Sequence, residues 1–187
     1  MKTLFTIIIA SFIAGAVSAQ TTDTVSYLKA EQWKINANLI GGSLTYEKKM
    51  SRSSTLYMEA GAAYNISYSY SSTRGSDHRY AFSPYVSIEG RNYYHFKERI
   101  AKGKSTANNA SNFWFLQAGY VFKPISHTAG YTYSDAISVM PGWGIQRNLG
   151  QHFSLELQLG LDVSYYPQSS EWYVGPGGQF KIGYLIK

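Results

Sequence analysis

Charged and amide side chains recur at alternate positions along this chain: Glu47, Glu59, Glu89, Arg91, Gln117, Gln146, Glu156, Asp162 and Lys181. Carboxylates held close together can share a proton, act as general acid and base, or line an ion path. Set against Arg91 and Lys181, they can instead neutralise one another and fill an enclosed polar interior. The second reading is the expectation, because side chains of one parity on neighbouring strands must meet at similar depth whenever that parity faces inwards. Two other groupings, Ser76-Asp77-His78 and Ser126-His127, supply the residue types of a serine–histidine–acid set such as lipid A-trimming enzymes use. Polar loops place such neighbours side by side by chance, and catalysis needs hydrogen-bond reach rather than adjacency, so no catalytic residue is expected. His95 and His152 make no ligand cluster, and the chain has no cysteine. Neither a metal nor another cofactor is expected, and disulfides are excluded.

The elements that must carry these residues begin after an export signal. Lys2 precedes an apolar run over residues 4–10 that continues through Phe12 and Ile13, and Val17-Ser18-Ala19 offers the small residues a leader peptidase reads. Residues 1–19 are therefore expected to be a signal peptide cleaved before Gln20. Its apolar part is too short to cross a bilayer as a helix. The signal holds one of the 17 basic residues and none of the 11 acidic ones, leaving a net charge of about +5. An exported chain seldom meets nucleic acid, so this charge points to anionic lipid or sugar phosphates. Charged residues make up only 15% of the chain, against about 25% in soluble domains. After the signal no apolar run is long enough for a helical span.

Periodicity supplies the architecture. Over residues 153–166 the odd positions read Phe, Leu, Leu, Leu, Leu, Val, Tyr and the even ones Ser, Glu, Gln, Gly, Asp, Ser, Tyr. A helix cannot satisfy a period of two. A strand of this length suits a tilted membrane crossing with apolar residues facing lipid. Similar alternation covers residues 56–67, 80–94, 113–123, 137–147 and 173–187, with a shorter strand at 43–48. Seven strands would put the two termini on opposite sides, so an eighth is expected at 33–39, separated from the next by a hairpin at Ile40-Gly41-Gly42. The alternative is one long bulged strand there, with the missing strand at 24–32. Residues 20–32 are read as an N-terminal periplasmic segment and 33–187 as an all-β, transmembrane, up-and-down antiparallel barrel of eight strands. Turns at 48–53 and 148–152, the basic segment 95–111 and the C-terminus share the periplasmic side, and loops at 69–78, 124–132 and 167–171 face outwards. The basic segment is read as a solvated turn, with a contact to inner-leaflet phosphates as the functional alternative. Pro84, Pro141 and Pro176 are expected to bring a bulge or weakened pairing.

Aromatic residues gather where interfacial girdles would sit: Tyr68, Tyr70, Tyr80, Tyr131, Tyr133, Tyr165, Tyr166, Trp172 and Tyr173 by the outer loops, and Tyr46, Tyr93, Tyr94, Phe113, Trp114 and Phe153 at the other end. At GWGIQRNLGQHFSLELQLGLDVSYY (142–166) and YVGPGGQFKIGYLI (173–186), supported by SPYVSIEGRNYY (83–94) and LTYEKKMSRSSTLYMEAGAAY (44–64), the chain resembles a family of small outer-membrane barrels common in Bacteroides-like bacteria. The resemblance implies the fold and an outer-membrane location in a Gram-negative cell, and carries over no catalytic residues. The expected role is non-enzymatic: a monomer in contact with outer-membrane lipids and lipopolysaccharide, inserted by the barrel-insertion machinery, with a structural or surface-contact function. A small barrel that binds or passes a hydrophobic ligand through a lateral opening near Pro84 or Pro141 is the second reading, and a lipid A-modifying enzyme the third.

Overall fold

A computed structural model of the chain describes residues 28–71, 75–130 and 133–186. The expected signal, residues 20–27 and Tyr131 lie outside these ranges. Nine strands follow in order: β1 (Glu31–Asn38), β2 (Gly41–Lys49), β3 (Ser54–Ser71), β4 (Gly75–Tyr93), β5 (Asn112–Val121), β6 (Ser126–His127), β7 (Ala136–Leu149), β8 (Phe153–Tyr166) and β9 (Glu171–Leu185). All pairings are antiparallel, and β1 pairs with both β2 and β9, so the sheet closes in a ring. Eight long strands make the ring. The two-residue β6, inside the segment expected to be a plain loop, adds to β4 at Ala81 and Phe82 beyond the end of β5.

The first hairpin turns at Leu39-Ile40, with Asn38 opposite Gly41. Gly41 has to be glycine for space, since a Cβ there would lie 2.3 Å from the Ala62 carbonyl oxygen. The expected loop at 69–78 is mostly strand, and β3 and β4 pair from Ser54 opposite Asn92 to Ser71 opposite Gly75. The alternation of Tyr64, Ile66, Tyr68 and Tyr70 continues through it, and aromatic residues favour the pleated surface. The prolines meet the expectation in part. Pro84 pairs in register with Ala62 and Pro176 with Leu161. Beside Pro141 a ladder lapses, between Val139 opposite Val163 and Gly142 opposite Gly160, and across Pro84 the other edge of β4 changes register, pairing Tyr85 with Val121 of β5 but Phe82 with Ser126 of β6.

Segment 95–111 is folded, while its Lys97, Lys102 and Lys104 stay exposed as a solvated turn would leave them. A short helix α1 (Phe96–Ala101) and a single 3-10 turn (Ala107–Asn109) lie across one end of the ring. Phe96, Asn109, Ala110 and Ser111 are buried there, and Phe96 joins Leu28, Tyr93, Phe113, Phe115 and Met140 in the one apolar cluster of buried residues among those described. Asn148 Nδ2 donates to the Ala107 carbonyl at 2.5 Å and Lys29 N–H to Asn109 Oδ1 at 2.9 Å, tying the cap to the strand ends.

Burial is inverted relative to a water-soluble protein. Among the described residues nineteen buried side chains are polar or charged and only ten hydrophobic. Large apolar residues stand exposed on every ring strand, including Ile35, Leu44, Met58, Ile88, Trp114, Ile137, Leu159 and Ile182. Tyr93 and Phe113, expected in a girdle, are buried at 2% and 0% exposure, because they share the inward parity of Arg91 and Gln117. Their bulk is accommodated by glycine on β7. A Cβ at Gly144 would lie 2.4 Å from the Phe113 ring. Gly144→Ala should therefore overpack the interior and lower stability by about 1–3 kcal/mol, read as a shift in the urea midpoint of folded protein. An unchanged midpoint would show that the ring can move aside.

Candidate functional site: the enclosed polar cluster

Strand register carries the inward-facing polar residues to a common depth. Glu47 lies opposite Tyr57, Tyr57 opposite Glu89, and Glu89 opposite Gln117. Across the ring Gln146 lies opposite Glu156, and Glu156 opposite Lys181. Arg91 is the hub. Its Nε donates to Glu89 Oε1 at 2.7 Å, and Nη1 and Nη2 grip Glu156 at 3.0 and 2.8 Å. A planar fork on a carboxylate is the strong, directional form of an ion pair. The guanidinium also lies 3.5 Å from the centroid of the Tyr57 ring and 4.6 Å from that of Phe113, a cation held on aromatic faces out of water.

Lys181 makes the second centre. Its ammonium donates to Glu59 Oε2 at 2.5 Å, lies 3.8 Å from Glu156, and approaches the Tyr57 hydroxyl at 3.5 Å. Glu59 also accepts from Tyr85 at 2.8 Å. Glu47 accepts from Gln32, from the Thr55 hydroxyl at 2.6 Å and from the Tyr93 hydroxyl at 2.7 Å. Glu89 takes further donors from Gln158 at 2.9 and 3.1 Å and from Gln117 at 3.5 Å. Gln146 accepts from Arg91 at 3.5 Å and donates to the Asn108 carbonyl, joining the cluster to the cap.

Four carboxylates (Glu47, Glu59, Glu89, Glu156) thus meet two cations (Arg91, Lys181), with Lys34 buried on the same parity, all at most 5% exposed. Each carboxylate has at least two donors, and Arg91 sits between Glu89 and Glu156. Such an arrangement holds charge in place. Satisfied networks of this kind rigidify a structure, whereas a half-satisfied one is costly.

Asp162 stands apart from the other sequence candidates. It is half-buried further out along β8, accepts from Ser164 Oγ at 3.0 and 3.2 Å, and lines a cavity of about 710 Å³ with Asn65 and Glu171. Lys34, Gln32, Tyr57, Tyr93 and Gln158 belong to the cluster but were not among the sequence candidates. Each lies on the inward parity, which was the signal available for them.

Among the described side chains, the four histidines make separate contacts. His78 packs its ring on Tyr68 at 4.9 Å. His127 packs on Tyr133 at 4.8 Å with Nδ1 3.0 Å from the Thr128 carbonyl. His95 pairs with Glu98 at 2.7 Å, while His152 stacks on Tyr184 at 5.8 Å. No group of three or more potential metal ligands exists among the described residues. Just before β7, Asp135 accepts from the hydroxyl of Tyr120 on β5, and that hydrogen bond holds the Asp135 carboxyl below its ordinary pKa. No family model, curated protein or solved structure matches this chain.

Proposed function

We propose that this chain is an integral β-barrel of a Gram-negative outer membrane, with a structural or surface-contact role and no enzymatic activity. The observation that carries this reading is the inverted burial, with charges enclosed and apolar side chains exposed on every ring strand. Water would penalise that surface, whereas hydrocarbon matches it and forces every backbone group to pair within a closed sheet. Aromatic residues at the two ends of the strands, such as Trp114 stacked 6.2 Å from Tyr94 and Trp172 4.8 Å from Tyr165, suit the interfaces of a bilayer. The partners are then lipid, lipopolysaccharide and the insertion machinery, and the working form is a monomer.

The interior favours a plug over a conduit. Arg91, Tyr57, Tyr93, Phe113, Phe115, Gln146 and Gln158 are each less than 2% exposed, as expected of a ring of eight strands, which side chains can fill. Detergent-extracted mature protein should migrate differently on SDS gels before and after boiling and be recovered in the outer-membrane fraction. It should add no conductance to planar bilayers. Recovery in the soluble periplasmic fraction without a shift would remove the membrane reading.

A further inference from the structure

The wall of the ring is uneven, and its gap coincides with a cavity. The β1–β2 hairpin is short, at 8 and 9 residues, while β3 has 18 and β9 has 15. Pairing of β9 with β1 ends at Lys181 opposite Asn38, and pairing of β3 with β2 ends at Ala63 opposite Gly41. Above the tip at Leu39-Ile40, β9 keeps only its β8 partner and β3 only its β4 partner among the described residues. Ile186 N–H donates to Trp33, so even-numbered backbone groups of β9 point toward β1. By that alternation Trp172, Val174, Gly178 and Phe180 face the gap, and so does Pro176, which has no donor to leave unpaired. Eight residues tilted as in membrane barrels rise only about 20 Å, less than the roughly 25 Å apolar belt such barrels present. The notch therefore begins within the outer part of that belt, just below the level where acyl chains meet head groups.

Behind the notch lies a cavity of about 350 Å³, within the range of small-molecule pockets, about 300–1,000 Å³. Its walls near the notch are apolar, formed by Leu39, Ile40, Ala63 and Phe180, and its inner part carries Asn38, Tyr85, Ser87, Gln117 and Gln179. These polar groups are uncharged. Lys181, at the base, is committed to Glu59 and Glu156. Asn38 Nδ2 donates to Tyr85 at 2.8 Å, leaving a buried Oδ1 with no partner among the described residues. A buried acceptor of this kind is costly until a donor reaches it.

We propose that the notch is a lateral binding site for a single-chain amphiphile with a neutral, hydroxyl- or amide-bearing head. The chain lies against Leu39, Ile40, Ala63 and Phe180, and the head donates to Asn38. This inference rests on the outer-membrane reading. An anionic head is disfavoured, because Lys181, the one cation lining the cavity among the described residues, is already neutralised by two carboxylates.

The test uses full-length mature protein in proteoliposomes with a diazirine-bearing monoacylglycerol, followed by irradiation and peptide mapping. Labelling should concentrate on residues 38–40 and 178–181, and unlabelled monoacylglycerol should compete while laurate does not. Ala63→Phe fills the cavity from its wall and should cut labelling about tenfold, the scale on which a small change in pocket volume discriminates ligands. Ala60→Phe, the same change on the outward parity, should leave it unaltered. Should Ala63→Phe fail to fold, Leu39→Asp with Ile40→Asp at the exposed tip decides, with the same loss expected. Labelling spread evenly over Ile88, Ile137 and Leu159, unaffected by either variant, would overturn the proposal while the heat-dependent band shift persists. A dimer before boiling with no local labelling would also overturn it, since the notch would then be filled by a second copy. Loss of the band shift itself would remove the membrane reading and this site with it.

Discussion

Arg91→Met should cost about 3–5 kcal/mol, the expense of leaving buried charge uncompensated. The side chain is 1% exposed and makes ionic contacts with both Glu89 and Glu156. Methionine preserves much of the volume against the Tyr57 and Phe113 rings, so packing loss contributes little. Without the guanidinium, Glu89 keeps Gln117 and Gln158 as donors, and Glu156 keeps only Lys181 at 3.8 Å. Domains are stable by roughly 5–15 kcal/mol in total. The variant should therefore refold in detergent with a much smaller folded band and unfold at far lower urea. Charge and shape separate in the triple variant Arg91→Met, Glu89→Gln, Glu156→Gln, which should recover at least half of the lost stability. A triple variant as unstable as the single one would show that the guanidinium acts through its packing on Tyr57 instead.

Much of this architecture was legible because a period of two is rigid. The strand at 153–166 has the same bounds in the sequence and in β8, since fourteen alternating residues leave no other reading. Parity also marked the cluster. Tyr93 and Phe113 resemble girdle aromatics by their place near strand ends, yet they point inwards because the alternation that buries Arg91 and Gln117 buries them too. Depth was not legible. Asp162 has the parity of Glu156 but lies too far out to reach Arg91, and only strand register supplies that distinction. The cap at 95–111 was hidden for a different reason. A helix of six residues has too few turns to show a period, and the contacts of Phe96 and Asn109 with the ring and Leu28 join residues distant in sequence. The notch could have been anticipated from strand lengths, because the first hairpin turns early, at Leu39-Ile40 just before Gly41-Gly42, while the alternation after Ser54 runs on to Tyr70.

Leu159→Arg should distinguish a lipid-facing ring from a water-facing one. Leu159 lies at the middle of β8, points outwards and is 53% exposed. In water, an exposed substitution away from special contacts changes stability within about 0.5 kcal/mol, and arginine would be harmless. At the midplane of a bilayer the same side chain costs about 2–4 kcal/mol, falling to about 0–1 near the interface. Phe153→Arg, at the end of the same strand with 49% exposure, supplies the comparison. Refolding both variants into phosphatidylcholine vesicles and titrating with urea should show a clear loss for Leu159→Arg and little for Phe153→Arg. The gradient matters more than either value, because a soluble β-protein has no reason to penalise charge by depth along one exposed face. Equal and small effects at the two positions would mean that the apolar belt is covered by something other than lipid. A steep difference would leave hydrocarbon as the medium that holds this ring together from outside, with the Arg91 cluster acting from within.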